Sequence, residues 1–558
     1  MSNGRARFQL WAPAQQRLAL AIEGQAPQPM QAETDGWFTL EAEAPPGTSY
    51  RFLLEDGSPV PDPASRAQSG GVHGWSVMTD TAAYRWQHRD WQGRPWEEAV
   101  IQEVHVGLCG GFAGLMRDLP RIASLGITAI ELMPVAAVSG ARNWGYDGVL
   151  PFAPAEALGT PRQLQALVDA AHGLGLMIML DVVYNHFGPD GHYIPNYAPQ
   201  FLHQGAPTPW GSAVAVDRPE VASFFRENAL QWLEDYRFDG LRFDAVHAIG
   251  NTAFLDQLAQ DLRAAVAPGR PIHLILENEN NDAARLAPSL YDAQWNDDFH
   301  NVLHVLLTGE DSGYYRDFAQ DPAQKLARCL AQGFVYQGDP SPHQRGKKRG
   351  TPSGHLPPTA FVSFLQNHDQ IGNRAMGERL PLLTDAGRLR AATALLLLCP
   401  QIPLLFMGDE WGAQSPFLFF TDFHDELAEV VREGRRREFA HFPAFADKAS
   451  QARIPDPNAQ ATFDASIPTP GPEAAAWDAL YRDLLALRAT RIVPQLKGTT
   501  ALGAEASGEK TVCAAWRLGD GAVLTLVLDL GEAPVLPEAQ GELLWQEGER
   551  FAAWLAPA

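Results

Sequence analysis

The sequence predicts an α/β protein whose central domain is a (β/α)8 barrel of the TIM type, with a β-domain at each end. Two observations predict the barrel and one predicts the flanking domains. From residue 100 onward, short apolar segments alternate with amphipathic helical segments. Eight such strand-like segments occur, which is the number that closes a parallel barrel. Short alternating segments separated by Gly and Pro occupy both ends of the chain and indicate small β-domains.

The N-terminal β-domain is predicted over residues 1–85. Residues 7–10, 18–22, 37–40 and 49–54 alternate apolar and polar side chains, and the Pro45-Pro46-Gly47 turn lies between two of these segments. Trp86, Trp91 and Trp96 then mark a linker that we expect to pack on the domain that follows.

The barrel is predicted over residues 86–445. The spacing of Leu115, Leu119 and Ile122 predicts a helix that ends at Gly126, and Thr160 followed by Pro161 predicts the start of another. Further helices are expected over residues 219–236, 252–266 and 386–398. An open doubly wound sheet is the competing architecture. The eight predicted strands are residues 101–106, 127–133, 177–183, 239–244, 272–277, 291–295, 360–366 and 403–407.

Long inserts interrupt the strand and helix pattern after the second, third and sixth strands. The first two are residues 134–160 and 184–218, and the third contains the basic, Gly-rich segment 338–350. Such inserts are expected on the carboxyl-terminal face, where barrel enzymes build their active sites. Residues 446–490 are predicted to be a connecting segment with a helix over 474–488, and residues 491–558 form the C-terminal β-domain.

Composition excludes several classes of protein. A hydrophobic content of 46% is typical of a globular domain, and a net charge of −23 disfavours nucleic acid and anionic membrane as partners. Cys109, Cys329, Cys399 and Cys513 have no paired spacing, which argues against a disulfide framework and a zinc site. The N-terminus lacks the apolar run of a signal peptide, and residues 391–399, the longest apolar stretch, cannot span a bilayer. We therefore expect a cytoplasmic protein with no cofactor, acting on a neutral substrate.

Carboxylates lie at the ends of three predicted strands. Asp244 ends the fourth strand, Glu277 ends the fifth, and Asp369 follows the seventh. Because the carboxyl ends of barrel strands form one ring, these residues are expected to converge on one pocket despite their distance along the chain. Two neighbouring carboxyl groups, one ionised and one protonated, are what retaining glycoside cleavage requires.

The surrounding residues suggest a role for each carboxylate. Arg242 lies two residues before Asp244 on the same side of the strand, so its charge is expected to depress the pKa of Asp244 and favour a nucleophile. Glu277 has no adjacent cation in the sequence and is the better acid/base. Asp369 is expected to hold substrate hydroxyls. His186 and His368 suit neutral hydrogen bonding to sugar.

Structural explanations compete with each of these roles. Asp181 is expected to support Arg242 instead of touching substrate. Trp144, Tyr146 and Trp295 are consistent either with packing in the core or with stacking on sugar rings. The basic run over residues 345–349 is expected to be a solvated loop.

Four motifs resemble the α-amylase superfamily, glycoside hydrolase family thirteen. DVVYNH, GLRFDAVH, ILEN and FLQNHD occur in this order on predicted strands three, four, five and seven. The resemblance implies that Asp244 is the nucleophile, Glu277 the acid/base and Asp369 the stabiliser of the transition state. It also implies an N-terminal β-sandwich. The implied substrate-binding residues are Trp144, Tyr146, Asp147, His186, Arg242, Ala245, His247, Asp297, Asp298, His300, His368, Gln370 and Asn373.

Longer segments resemble one group of enzymes within that superfamily. They are residues 130–154, 273–283, 294–310, 364–380 and 403–427. They imply hydrolysis of the α-1,4 bond next to the terminal trehalose of malto-oligosyltrehalose, and a functional pairing with a malto-oligosyltrehalose synthase. A monomer or homodimer is expected. No cluster of oxygen ligands demands calcium, so no metal is expected. The alternatives are another α-1,4-glucan enzyme of the superfamily, such as an α-amylase, branching or debranching enzyme, or a non-catalytic glucan-binding protein.

Overall fold

The computed structural model describes residues 4–208, 211–267, 269–440, 442–537 and 540–558. Its centre is a closed barrel of parallel strands, as predicted, and not an open doubly wound sheet. The first strand pairs with the last, so that Ile101 lies opposite Leu404 and the ring closes. The barrel strands are β1 Ile101–Val104, β2 Ala129–Leu132, β3 Met177–Val182, β4 Gly240–Phe243, β5 His273–Leu276, β6 Ala293–Trp295, β7 Phe361–Ser363 and β8 Ile402–Phe406.

Helices surround the barrel and continue into the segment that follows it. The predicted helix over 219–236 is an α-helix that changes to a wider π-type turn over Gln231–Asp235. The α-helices are α1 Gly111–Leu125, α2 Pro161–Gly173, α3 Pro219–Leu230, α4 Val246–Ile249, α5 Thr252–Ala265, α6 Asp297–Thr308, α7 Arg316–Ala319, α8 Pro322–Gln332, α9 His368–Gly372, α10 Ala386–Leu398, α11 Asp425–Phe439, α12 Lys448–Gln451, α13 Gln460–Ala465 and α14 Ala474–Leu487.

Local sequence explains where helix α2 begins. The Thr160 side chain accepts a hydrogen bond from the Gln163 backbone, and the Gln163 side chain accepts one from the Thr160 backbone. Pro161 takes the first helical position, where the N–H that it lacks has no partner within the helix. Leu164, Leu167 and Val168 then face the core. The helix therefore starts where the cap and the apolar spacing agree.

Two antiparallel sheets form the N-terminal domain. Phe8 from the first sheet meets Tyr50 from the second, with ring centroids 4.8 Å apart. The first sheet contains Arg5–Trp11, Gln31–Ala32 and Trp37–Glu43, and the second contains Ala19–Ile22, Gln28–Pro29, Ser49–Leu53, Pro59–Val60, Gln68–Ser69 and Trp75–Val77. This arrangement of two packed sheets is the expected β-sandwich.

The C-terminal domain is an antiparallel sheet that lies against the barrel helices α8 and α10. Arg390 of α10 donates a hydrogen bond to Glu547 of the sheet at 2.6 Å, and Lys510 donates to the backbone carbonyl of Leu306 in α6. Its strands, in spatial order, are Thr500–Ala506, Thr511–Arg517, Val523–Asp529, Phe551–Ala556 and Glu542–Glu547. The sequence-based domain boundaries stay predictions.

The inserts carry small hairpins of their own, formed by Ala136–Ala137 with Leu150–Pro154, by Leu202–Thr208 with Gly211–Val214, and by Asp339–Ser341 with Lys347–Arg349. All three inserts contribute residues to the mouth of the barrel. Across the part of the chain that the structure describes, every helix is too short or too polar to cross a membrane.

Candidate active site

A cavity of about 680 Å³ opens at the carboxyl ends of the barrel strands. Asp244, Glu277 and Asp369 all line it, so the structure brings the three carboxylates together. They come from positions just after β4, β5 and β7. The other predicted site residues that line the cavity are Trp144, Tyr146, Asp147, His186, Ala245, His247, Asp297, His368, Gln370 and Asn373.

Arg242 lies beneath the cavity and does not line it. Its guanidinium is fully buried and stacks over the ring of Trp295 at 4.1 Å. One nitrogen, Nη1, contacts Asp181 at 2.7 Å and Asp244 at 2.8 Å, while Nη2 is 3.5 Å from Glu277. One cation therefore holds three carboxylates in place, and Asp181 supports Arg242 as expected.

The charge state of Asp244 differs from the simple expectation. Burial raises the pKa of Asp244, and Glu277, Asp181 and Asp369 raise it further, whereas Arg242 lowers it. The net effect in the free site is a pKa of Asp244 well above its usual range. Arg242 does lower the pKa of Asp244, as predicted, but burial and three nearby acids, which the sequence argument left out, outweigh its effect.

Glu277 is held by a backbone donor as well as by Arg242. The N–H of Ala245, the residue after Asp244, donates to Glu277 Oε2 at 2.5 Å. Ala245 adopts a positive φ of 41°, which is uncommon for a residue with a side chain and costs on the order of 1–3 kcal/mol. This turn ties the residue after β4 to the side chain after β5. The expectation that Glu277 has no cation beside it holds in the sequence but not in space, where Arg242 reaches it.

Asp369 lies in the first turn of the short helix α9. Asn367 caps this helix by accepting from the Asp369 backbone at 2.9 Å, and Gln370 completes the capping box. The Asp369 side chain is 42% exposed to the cavity, 3.4 Å from His368 Nε2 and from the side-chain amide of Asn373. The cap thus fixes the backbone of Asp369 and leaves its carboxylate accessible from the cavity.

His368 is a cation in this site. Its Nδ1 contacts Glu103 of β1 at 2.5 Å, and its backbone N–H donates to the same carboxylate at 3.1 Å. Burial opposes protonation, but Glu103 and Asp369 together raise the pKa of His368 to about 9. The expectation of a neutral His368 was wrong because Glu103 is distant in the sequence. Burial instead lowers the pKa of His186 to about 4, so His186 is neutral as expected.

The aromatic candidates separate into packing and cavity-facing groups. Tyr146 donates to Asp181 at 2.6 Å and stacks on His368 with centroids 5.0 Å apart. Trp144 is 6% exposed, and its Nε1 donates to the carbonyl of Leu418. Trp295 is buried under Arg242 and is a core residue. Tyr146 and Trp144 line the cavity, while Trp295 does not.

Two further acids of the cavity have raised pKa values. Burial, with a smaller contribution from Glu277, raises the pKa of Asp297 to about 8, even though Arg349 opposes the shift. Burial also raises the pKa of Asp147, whose carboxylate accepts from Asn143 at 2.7 Å. Neutral carboxyl groups can donate as well as accept hydrogen bonds, which suits a sugar ligand.

Asp298 and His300 do not reach the cavity. Asp298 is fully buried and accepts from the Asn281 side chain and from the backbone N–H groups of residues 335 and 336. His300 is buried between the carbonyl of Leu365 and the Tyr315 hydroxyl. Their assignment as substrate-binding residues is corrected here, because neither side chain lines the cavity and protein groups occupy both of them.

The structure adds cavity residues that the sequence did not indicate. Arg349, in the basic insert expected to be solvated, is 8% exposed and pairs with Asp298 at 3.0 Å. Its burial follows from that pairing, which sequence spacing does not reveal. The added lining residues are Asn143, Glu279, Asn301, Tyr314, Asp317, Phe318, His343, Gln344, Arg349, Phe419, Val431, Gly434, Arg435 and Glu438.

Among the residues that the structure describes, His, Cys, Asp and Glu side chains form no group of three or more suited to a metal ion. All four cysteines are free thiols.

Two family models match parts of the chain. The alpha amylase catalytic domain matches residues 69–200, and a domain of unknown function, DUF3459, matches residues 499–558. The first match includes β1 to β3. The second coincides with the C-terminal sheet.

Curated relatives match most of the chain. A malto-oligosyltrehalose trehalohydrolase of Deinococcus radiodurans is 40% identical over 86% of this chain and 80% of its own. The protein of the same name from Rhizobium sp. (strain M-11) is 39% identical over 97% of this chain and 94% of its own.

Solved structures agree with the fold. A Salmonella typhimurium protein, described as a candidate alpha amylase, is 44% identical with a TM-score of 0.94, covering 100% of this chain and 98% of that one. A pullulanase from Paenibacillus barengoltzii, at 20% identity and a TM-score of 0.70, covers 100% of this chain and 93% of that one and shares the fold alone. From the identity and coverage of its curated relatives, the chain belongs to the malto-oligosyltrehalose trehalohydrolase family of the α-amylase superfamily.

Proposed function

We propose that this protein hydrolyses the α-1,4-glucosidic bond next to the terminal trehalose of malto-oligosyltrehalose, with retention of configuration. The products are trehalose and a shortened maltooligosaccharide. The observation that carries the proposal is the placement of Asp244 and Glu277 on the same buried guanidinium, at 2.8 and 3.5 Å. A retaining enzyme uses a carboxylate nucleophile and a carboxylic acid about 5–5.5 Å apart, and one guanidinium that contacts both side chains keeps them on the same part of the cavity wall.

In the first step, Asp244 attacks the anomeric carbon of the glucosyl unit that precedes trehalose. The bond from that carbon to the trehalose O4 breaks as Glu277 gives its proton to this oxygen, so trehalose leaves as a neutral molecule. A glycosyl ester on Asp244 remains. In the second step Glu277 takes a proton from water, the water oxygen attacks the same carbon, and the ester bond breaks to regenerate both side chains.

The charges around Arg242 favour this division of roles. Asp181, Asp244 and Glu277 share one cation, and burial disfavours three ionised acids around one positive charge, so the group retains a proton. Arg242 lies closer to Asp244 than to Glu277 and stabilises negative charge there more strongly. Arg242 therefore favours the ionised form of Asp244 that attacks the sugar, although burial and nearby acids raise the pKa of this carboxyl in the free site.

Asp369 and the cavity residues around it complete the proposed site. The exposed Asp369 carboxylate is placed to bind ring hydroxyls and to stabilise the positive charge that develops on the sugar. The neutral His186 and Asp297 offer hydrogen bonds to further hydroxyls. A cytoplasmic location and a functional pairing with a malto-oligosyltrehalose synthase also stay part of this proposal.

The test compares malto-oligosyltrehalose with maltodextrin of the same length. The proposal expects free trehalose from the first and a much slower reaction with the second. Asp244→Asn serves as the inactive control. Equal rates on the two substrates would instead favour an α-amylase-like activity, and new α-1,6 branches would favour a branching enzyme. Binding of either glucan without turnover by the unmodified protein would identify a non-catalytic glucan-binding protein.

A further inference from the structure

A three-way junction beside the cavity joins elements that carry separate parts of its wall. Glu310 follows α6 and accepts two hydrogen bonds from the Arg374 guanidinium, at 2.8 and 3.0 Å. The same carboxylate accepts from His304 Nε2 at 2.7 Å. Arg374 comes directly after Asn373, a residue of the cavity. The pair therefore links the segment after β6 to the segment after β7.

The segment after β6 carries an aromatic side chain into the cavity. Tyr314 lines the cavity and is 44% exposed. Its neighbour Tyr315 is buried and stacks on His304 with centroids 4.2 Å apart. His304 in turn bonds Glu310. A chain of contacts therefore runs from Glu310 through His304 and Tyr315 to Tyr314.

The segment after β7 is fixed from a second side by helix α11. Arg435, which lines the cavity, donates to the carbonyl of Gly372 at 2.6 Å and to that of Arg374 at 3.1 Å. It also packs over the ring of Phe439 at 4.6 Å. Arg374 is consequently held by its backbone to α11 and by its side chain to Glu310. The segment after β6, the segment after β7 and helix α11 are therefore all connected through Arg374.

We infer that Glu310 and Arg374 are a positioning pair, which holds the Tyr314 wall against the segment that carries Asp369 and Asn373 and thereby sets substrate affinity. The inference rests on the proposed function, because the pair acts on substrate bound at that same site. Neither residue lines the cavity, so the pair acts through its neighbours. A bidentate Arg–carboxylate pair fixes orientation as well as distance, which a single contact cannot do.

The first test measures kcat and KM for Glu310→Gln. Loss of the charge-assisted pair is expected to raise KM about tenfold and to change kcat by less than about threefold, because wall contacts hold substrate and transition state alike. Arg374→Lys keeps the charge but loses the fork geometry, so it should lie between the wild type and Arg374→Met. Glu542→Gln is the matched control, since Glu542 forms an exposed bidentate pair with Arg491 in the C-terminal domain.

The decisive test is a double-mutant cycle with Tyr314→Ala. If Glu310 acts through Tyr314, Glu310→Gln adds little to the KM of the Tyr314→Ala enzyme. Additive effects of Glu310→Gln and Tyr314→Ala on KM would overturn the inference. An unchanged KM with a lowered melting temperature in Glu310→Gln alone would overturn it too. Should Glu310→Gln fail to fold, the same cycle is run with Arg374→Lys. A wild-type protein that cleaves maltodextrin but releases no trehalose would contradict the proposed function, while the cycle on maltodextrin still tests the pair.

Discussion

Replacing Glu103 by Gln is expected to remove the positive charge of His368 at neutral pH. Glu103 contacts His368 twice, through Nδ1 at 2.5 Å and through the backbone N–H at 3.1 Å. Gln keeps the size of the side chain but loses the charge. Burial, the largest influence on the pKa of His368, is then expected to outweigh the remaining effect of Asp369.

The magnitude follows from the titration of His368. A pKa of about 9 for this histidine, against an ordinary value of 6.5, corresponds to roughly 3 kcal/mol at about 1.4 kcal/mol for each tenfold change in proton affinity. Because the pKa is raised in the folded state, this stabilisation is fully present below pH 6.5. It declines as the pH rises from 6.5 and is lost above about pH 9. The wild type should therefore lose stability across this window.

The assay combines NMR of the labelled His368 ring with the pH dependence of the melting temperature between pH 6 and pH 10. In Glu103→Gln the ring should titrate below pH 6.5, and the loss of stability between pH 6.5 and 9 should become shallower. Asp239→Asn is the control, because Asp239 forms another buried pair, with His172 at 3.0 Å. A His368 pKa that stays near 9 in Glu103→Gln would refute the reasoning.

Three further predictions concern other acids of the site. Asp244→Asn and Glu277→Gln should each lower kcat by several orders of magnitude, by steady-state kinetics, with an unchanged circular dichroism spectrum; loss of folding would instead indicate a structural role. Asp298→Ala should lower the free energy of unfolding by about 3–5 kcal/mol, because it leaves the Arg349 guanidinium buried without its partner. Limited proteolysis should then cut the hairpin of residues 339–349. An intact hairpin would contradict the role of Asp298 in holding Arg349. Asp297, with a pKa of about 8, is neutral at pH 6, so Asp297→Asn should keep activity within about threefold at that pH. As the pH rises to 8, the variant should lose less of its activity than the wild type. A collapse of activity at pH 6 would show that the ionised form is required.

Most of the fold could be predicted from the sequence because barrel strands are buried on both faces. Continuous apolar runs such as residues 177–180 indicate such strands, and polar caps such as Thr160 mark where helices start. The change to a π-type turn at Gln231 could not be predicted in this way. Trp232 within this turn is buried in the core, and the local sequence does not reveal its packing partners.

The site was predicted less completely, for physical reasons. The carboxylates at strand ends are visible in the sequence because the topology of a barrel brings strand ends together. The charge states of these residues cannot be predicted from the sequence, because the pKa of His368 depends on Glu103, which is 265 residues away in the chain. The burial of Arg349 depends in the same way on Asp298. Spacing within one element predicts which residues share a face, but not which charge lies opposite.

The central claim is that Asp244 and Glu277 act together in a retaining cleavage beside trehalose. One ¹H NMR time course with malto-oligosyltrehalose tests it directly, since it resolves trehalose and the two anomers of the new reducing end. The account predicts that trehalose appears together with the α-anomer, and that the β-anomer follows only by mutarotation. Initial release of the β-anomer, or cleavage without trehalose, would contradict it.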